Sequence, residues 1–258
     1  MSPRHSWLTL VGIGEDGLDG LSPVARRLVD GAEVLVGGER HLALAGAHKA
    51  EKLVWRSPLV ATFDDIAARR GRRVVVLASG DPMWFGVGAT LAGRFPPQEM
   101  TVVPHPGAFS LAASRLGWPL AEVTALTLHA RPLERLALHL APGARLLVLT
   151  EDGKAPASIA AYLRDRGWGS SRLTLLERLG GSLERRLEGK AEGWPHPPGA
   201  ELNTLAIECV AGPKARPLSR SAGLPDDAFV HDGQLTKREV RAATLSALAP
   251  LPGQTLWD

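Results

Sequence analysis

The chain has 258 residues, 45% of them hydrophobic and 22% charged, with a formal net charge of +3; these are the proportions of a soluble globular protein with room for two ordinary domains. No apolar run reaches the ~18 residues that a membrane span needs, and the N-terminus lacks a signal-peptide layout, so a cytoplasmic protein is expected. Cys209 is the only cysteine, which excludes a disulfide framework and a thiolate metal cluster, and no metal site is expected.

In chain order, apolar strands alternate with amphipathic helices, the signature of an α/β protein with mostly parallel strands. Strands are predicted at Trp7–Ile13, Glu33–Val36, Lys52–Trp55, Arg73–Ala78, Met100–Val103, Arg145–Leu149, Arg172–Glu177 and Thr204–Glu208. Helices are predicted at Pro23–Val29, Val60–Arg70, Gly86–Gly93, Ser110–Leu116, Pro132–Leu140, Ala155–Asp165 and Lys237–Leu248. Proline and glycine at 104–107 punctuate the end of a strand and suggest a boundary there. The expected division is an N-terminal α/β domain at 1–105, a second α/β domain at 106–212, a linker at 213–233 and the opening of a further domain at 234–258. In that last segment Thr236 and Glu239 are spaced as a capping box ahead of a short amphipathic helix. Pro250, Pro252 and Gly253 then break the helix, and an apolar strand starts at Thr255. A strand begun and left unpaired has nowhere to place its backbone groups, so the chain reads as the N-terminal part of a longer, bifunctional protein.

Four loops follow four of the predicted strands, at the ends where open α/β sheets bind ligands. The first, Gly12–Gly17, matches the string G-x-G-x-x-G. In a dinucleotide fold the helix would start at that loop and aim its N-terminus at the pyrophosphate. Here the helix waits until Ser22-Pro23, a good cap and first-turn pair, and Glu15 and Asp16 would repel a diphosphate. A tight turn shaping a cleft is the better reading. The second loop, Ser79–Trp84, offers Gly80 for close backbone approach and the Asp81 carboxylate, although Asp-Pro is also an ordinary turn. The third, Pro104–Ser110, carries His105 between two prolines, placed for proton transfer, and Ser110 as a helix cap facing the cleft. The fourth, Thr150–Gly153, carries Glu151 and Asp152, by default a solvated turn.

Arginine supplies most of the positive charge, in pairs such as Arg69-Arg70, Arg72-Arg73 and Arg185-Arg186. Most of these read as solvated surface residues. With 5% aromatic residues and no basic block interleaved with them, nucleic-acid binding is poorly supported. A small polyanionic substrate suits arginine's bidentate fork better.

Taken together and in this order, the segments VGIGEDGLDGLSPVARR, VLASGDPMWFGVG, VVPHPGAFSLAASRLGWP, LLVLTEDG, LLERLGG and NTLAIE resemble the tetrapyrrole methyltransferase family over about Trp7 to Cys209. Many family members carry proline after the second glycine of the first loop, where this chain has Glu15. With the GlyGlyGluArgHisLeu run at 37–42, that departure resembles the branch acting on precorrin-6. The segments LTKREVR and LPGQTLWD resemble the lead-in to a second, Rossmann-like methyltransferase. The resemblance implies two α/β domains with S-adenosylmethionine folded in the cleft between them, held largely by backbone groups, and a homodimer. By motif match it places cofactor contacts on Leu10, Gly80, Asp81, Met83, Trp84, Ser110, Leu111, Thr150, Leu179, Leu205 and Ala206. It implies methylation at carbon 5 of a polycarboxylated macrocycle in cobalamin biosynthesis. A further unit would methylate carbon 15 and remove a carboxyl. Asp81 and His105 are the candidates for taking up a proton, and Arg40 and Arg115 for gripping substrate carboxylates. The alternatives are another precorrin or uroporphyrinogen methyltransferase, an NAD-dependent oxidoreductase built on the first glycine loop, or a non-catalytic tetrapyrrole-binding module.

Overall fold

The computed structural model describes residues 6–251, 253–255 and 257. Its first sheet comprises β1 (Leu8–Ile13), β2 (Val34–Gly37), β3 (Glu51–Val54), β4 (Val74–Ser79) and β5 (Met100–Val103), all parallel, in the order β3-β2-β4-β1-β5. Alternation along the strands splits their side chains between two cores. Leu8, Leu10, Val34, Val36, Val74 and Val76 pack with Phe63 and Ile66 of α3 (Leu59–Ala67) and Leu91 of α4 (Val87–Ala92). Val11, Ile13, Leu35, Val75 and Leu77 pack with Ala25 and Val29 of α1 (Pro23–Asp30) and Leu42 of α2 (Glu39–Leu44). Covering on both faces is why these strands read as continuous apolar runs.

Strand β1 leads to α1 on one face of the sheet, while its neighbour β4 leads to α4 on the other. Adjacent parallel strands whose connections leave in opposite directions open a crevice at their carboxyl ends. The first and second glycine loops therefore flank a single crevice.

The second sheet contains β6 (Val123–Thr127), β7 (Arg145–Leu149), β8 (Arg172–Glu177), β9 (Arg185–Lys190) and β10 (Asn203–Glu208), in the order β6-β7-β10-β8-β9. Only β6 and β7 pair in parallel; β7–β10, β10–β8 and β8–β9 are antiparallel. The expectation of mostly parallel strands fails here, because an apolar run records burial on both faces and not direction. One face packs on α6 (Ala155–Asp165) and Trp168, the other on α5 (Ala108–Leu116). The helix predicted at Pro132–Leu140 is a 3-10 turn at Leu133–His139.

Among the described residues no helix is long and apolar enough to cross a membrane, and no group of three or more His, Cys, Asp or Glu side chains could hold a metal. Cys209 is buried, and that burial pushes its thiol up to about 11, so it is chemically quiet at neutral pH.

The last helix, α7 (Arg238–Leu248), buries no side chain. Arg241 ties it back by pairing with Asp226 and donating to the Leu224 carbonyl (2.6 Å). The capping box expected at Thr236 does not form: Lys237 occupies the cap position and no side chain bonds there. The expected strand from Thr255 includes Leu256 and Asp258, which lie outside the described residues, and Thr255 and Trp257 form no strand. At α1 the expected cap is present, with Ser22 Oγ accepting from the Ala25 N–H at 3.2 Å. Ser22→Ala should therefore cost about 1 kcal/mol of stability, whereas Thr236→Ala should leave it unchanged. Urea denaturation of the two variants distinguishes them.

Candidate active site

The ends of β1, β4 and β5 are tied together by main chain alone. The Gly80 N–H donates to the Ile13 carbonyl at 3.1 Å, and the His105 N–H donates to the Gly80 carbonyl at 3.2 Å. A Cβ on Gly12 would collide with the Gly80 carbonyl and with His105, and one on Gly80 would meet the Gly107 Cα at 2.5 Å. Gly80 also sits at φ +56, a conformation that favours glycine. The three predicted loops thus converge, and the groups they present to the crevice are mostly backbone.

Around this knot the chosen side chains divide. Asp81 Oδ1 accepts the Met83 N–H at 2.9 Å, which shapes the loop. Met83, Trp84 and Phe85 are about half exposed. Trp84 and Phe85 lie edge-on to each other and to Phe109 of α5, with ring centroids 6.0–6.4 Å apart. Phe109 in turn packs with Leu179, Ala206 and, at the margin, Leu111 and Leu149. Residues predicted on four separate segments are therefore brought to one place, with the aromatic trio as the join. Thr150 is buried and donates to Asn203 Oδ1 at 2.6 Å, while Asn203 Nδ2 donates to the Asp152 and Ala200 carbonyls. Asn203 escaped the sequence reading, since nothing local marks it.

Other expectations are not met. Leu10 and Leu205 are fully buried and point into the cores behind the two sheets, so only their backbones can approach the crevice. Ser110 does not cap α5; Gly107 holds that position and Ser110 lies exposed in the first turn. Arg115 is committed elsewhere, because Glu184 takes Nε at 2.6 Å and Nη2 at 3.0 Å, and also accepts the Gly180 N–H at 2.7 Å. It fastens the loop after β8 to α5 rather than waiting for a substrate.

His105 Nε2 lies 3.7 Å from Asp16 Oδ1, with its side chain largely buried. Arg40 pairs with Glu15 of the first loop and donates to Ser79 Oγ at 2.7 Å. It also reaches His41 Nε2 at 3.0 Å, and Ser79 Oγ is 2.9 Å from the same nitrogen. Arginine can only donate, so His41 Nε2 accepts and the proton is assigned to Nδ1. That atom is buried without a partner among the described residues, at a cost of ~1–3 kcal/mol. Burial first, and the Arg40 charge second, push His41 down from 6.5 to about 4.

Gly12→Ala and Gly80→Ala should each lower stability by roughly 1–3 kcal/mol, since the obstructing atoms are backbone and cannot swing away. Thermal melts test this. Acid should also weaken the fold. Between pH 6.5 and about 4.5 the unfolded chain binds the His41 proton and the folded chain does not, so stability falls as pH falls. His139, also lowered by burial, adds to that slope. Urea titrations across this window should show a shallower dependence in His41→Gln.

Comparison with known proteins accounts for this arrangement. Residues 7–193 match the family of Tetrapyrrole (Corrin/Porphyrin) Methylases, and residues 227–258 match a Precorrin methyltransferase domain. A Sinorhizobium protein named precorrin-6Y C(5,15)-methyltransferase [decarboxylating] is 52% identical over 98% of this chain, and the chain spans 61% of that relative's length. A cobalt-precorrin-7 C(5)-methyltransferase from Salmonella typhimurium is 32% identical over 69% of this chain and 88% of its own. The crystal structure of a precorrin-6Y methylase of cobalamin biosynthesis from Archaeoglobus fulgidus superimposes with a TM-score of 0.61 at 27% identity, covering 79% of this chain and 98% of that one. The chain belongs to the tetrapyrrole methylase family.

Proposed function

We propose that this chain transfers a methyl group from S-adenosylmethionine to carbon 5 of a precorrin-6-type macrocycle, in the cytoplasm, as one step of cobalamin synthesis. The observation that carries the proposal is the backbone cradle at Gly12, Gly80 and Gly107 at the C-terminal ends of β1 and β4, whose helix α5 packs through Phe109 on Leu179 and Ala206. The residues fit the cofactor: a Cβ would fill the cradle, the exposed amides and carbonyls suit a folded ligand, and Met83 and Trp84 offer apolar cover. Gly80, Asp81, Met83, Trp84, Ser110, Leu111, Thr150, Leu179 and Ala206 would hold it, with Leu10 and Leu205 contributing backbone only. When bound, S-adenosylmethionine supplies an already activated methyl group.

The task left to the chain is alignment, which can be worth ~7–11 kcal/mol in favourable cases. The loops of the two sheets set the approach, and the aromatic trio excludes water. A proton released after methylation needs an acceptor. His105 suits this better than Asp81, because one Asp81 oxygen is occupied by the Met83 N–H. Arg40 stands at the mouth of the crevice and grips a substrate carboxylate, exchanging it for Glu15.

The match of residues 227–258 to a precorrin methyltransferase domain, together with the 61% span of the Sinorhizobium relative, supports a partner unit that methylates carbon 15 and decarboxylates. The division at 1–105, 106–212, 213–233 and 234–258 belongs to the same reading, as does a homodimer.

Calorimetric titration should show saturable binding of S-adenosylhomocysteine and none of NAD. Binding of NAD alone would overturn the reading in favour of an oxidoreductase. Arg40→Gln should raise KM for the macrocycle about three- to tenfold while leaving S-adenosylhomocysteine affinity unchanged, as expected for a single exposed charge contact.

A further inference from the structure

Strand β6 pairs with β7 on one side and is the free edge of the second sheet on the other. Beside that edge opens a pocket of about 200 Å³ with Phe85, Ala125 and Leu128 in its apolar wall and Arg131, Arg135 and His139 in the rest of its lining. The basic lining differs from most of the arginines elsewhere on this chain. Arg26, Arg69, Arg72, Arg115, Arg172, Arg185 and many others sit in ion pairs. Among the described residues Arg131 and Arg135 have no carboxylate partner.

A third unpaired arginine returns to the same place from far along the chain. Arg220, in the irregular segment after β10, donates to the Leu138 carbonyl at 3.1 Å and to the His139 ring. The acids that follow it, Asp226 and Asp227, are taken by Arg241 and Arg216. The cluster thus gathers arginines around one imidazole, and among the described residues no carboxylate, Glu134 of the same turn included, lies within ion-pair distance of them. Like charges gathered on one patch repel unless an anion comes between them.

The apolar wall shows which anion. Phe85 is half exposed and sits at φ +54, in the left-handed region, where a bulky side chain is strained. It is held there against Trp84 and Phe109. Because Phe85 belongs to the loop after β4, the pocket opens off the proposed cofactor crevice and is not a remote surface feature. An apolar wall beside a basic rim fits the margin of a flat apolar ring bearing carboxylate arms. The volume is below the ~300 Å³ at which sites begin to enclose whole drug-sized ligands, so the pocket takes the carboxylate arms and leaves the ring in the crevice.

We propose that Arg131, Arg135, His139 and Arg220 form a subsite that grips carboxylate side chains on one edge of the tetrapyrrole, with Phe85 against the ring margin. The proposal rests on the methyltransferase reading above. It also makes the segment at 213–233 part of the substrate site, through Arg220, rather than a passive linker.

The test uses the full chain and uroporphyrin, an octacarboxylate macrocycle, followed by its absorbance shift, with S-adenosylhomocysteine binding followed separately by calorimetry. Arg131→Gln and Arg135→Gln should each weaken uroporphyrin binding about three- to tenfold. The double variant should weaken it further, and Arg131→Lys should lose less than Arg131→Gln. Arg27→Gln, which removes an exposed charge on α1, should change nothing, and S-adenosylhomocysteine affinity should be unaltered throughout. Arg220→Gln should weaken uroporphyrin alone. Wild-type affinity for uroporphyrin in the double variant overturns the proposal, as does displacement of uroporphyrin by inorganic phosphate at equal concentration. So does a change in oligomeric mass with uroporphyrin affinity unmoved, which would assign the face to a second copy of the chain. Failure of the wild-type chain to bind S-adenosylhomocysteine, with the uroporphyrin effects intact, would instead count against the methyltransferase reading and leave the carboxylate subsite standing.

Discussion

No side chain fits between the ends of β1 and β4, and the rest of the structure is arranged around that constraint. Gly12 and Gly80 approach until only hydrogen atoms separate their backbones, and Gly107 closes the third side. The hydrogen bonds from Gly80 to Ile13 and from His105 to Gly80 hold the contact without help from any functional group. Loops this spare carry little binding energy of their own. They stay in place because the strands behind them are buried on both faces, with Leu8, Leu10, Val74 and Val76 on one side and Val11, Ile13, Val75 and Leu77 on the other. The doubly covered sheet supplies rigidity, and the glycines spend it on keeping a crevice open at its edge.

Charge is handled by the opposite device, exact pairing of side chains across long sequence distances. Glu51 holds both Arg69 and Arg72, whose hydrogen bonds keep its carboxyl down at about 2. Glu177 is almost fully buried; burial raises its pKa, but Arg185 and the Ala200 N–H outweigh that and leave it lowered. Such pairs fasten strands and loops, and a buried carboxylate of this kind would be costly if either partner were lost. Against that background Arg131, Arg135 and Arg220 are grouped around His139 without a carboxylate partner among the described residues, whereas Arg40 pairs with Glu15 of the first loop. Both lie beside loops of the proposed site, where the proposals assign them to substrate carboxylates.

The strands most legible in the sequence are those with short runs dense in apolar residues. Met100–Val103, Arg145–Leu149 and Arg172–Glu177 coincide with their predicted bounds, and α6 does as well, because a continuous apolar run or a full amphipathic helix leaves little choice. β6 and β9 were missed. β9 is largely charged and alternates between exposed and half-buried residues, and β6 has two threonines among its five residues, so neither carries a continuous apolar run. Helix α2 was missed because Glu39, Arg40 and His41 fill its first turn and leave apolar residues only at Leu42–Leu44. The glycine loops could be read in advance, since close approach demands a residue type. Partnerships could not: Arg115 and Arg40 look alike in the sequence, and only the fold brings Glu184 to the first and Glu15 and Ser79 to the second. The convergence of Arg220 on His139 spans 81 positions, beyond any local signal.

Helix α5 links the two devices. Its first turn belongs to the glycine knot, with the Leu111 N–H bonded to the Gly107 carbonyl at 3.0 Å. Its inner face, through Phe109, Ala112 and Ala113, is part of the core of the second sheet, and near its end Arg115 fastens the loop after β8. A helix of nine residues is a rigid rod of ~13 Å, so the cradle and the second sheet cannot move apart without withdrawing Phe109 from Leu179 and Ala206. Withdrawing it would also break the edge-on contacts with Trp84 and Phe85. The half-exposed side chains of Met83, Trp84 and Phe85 are therefore the part freest to adjust, while α5, together with the contact of Glu15 on Gly181, fixes the cradle against the second sheet.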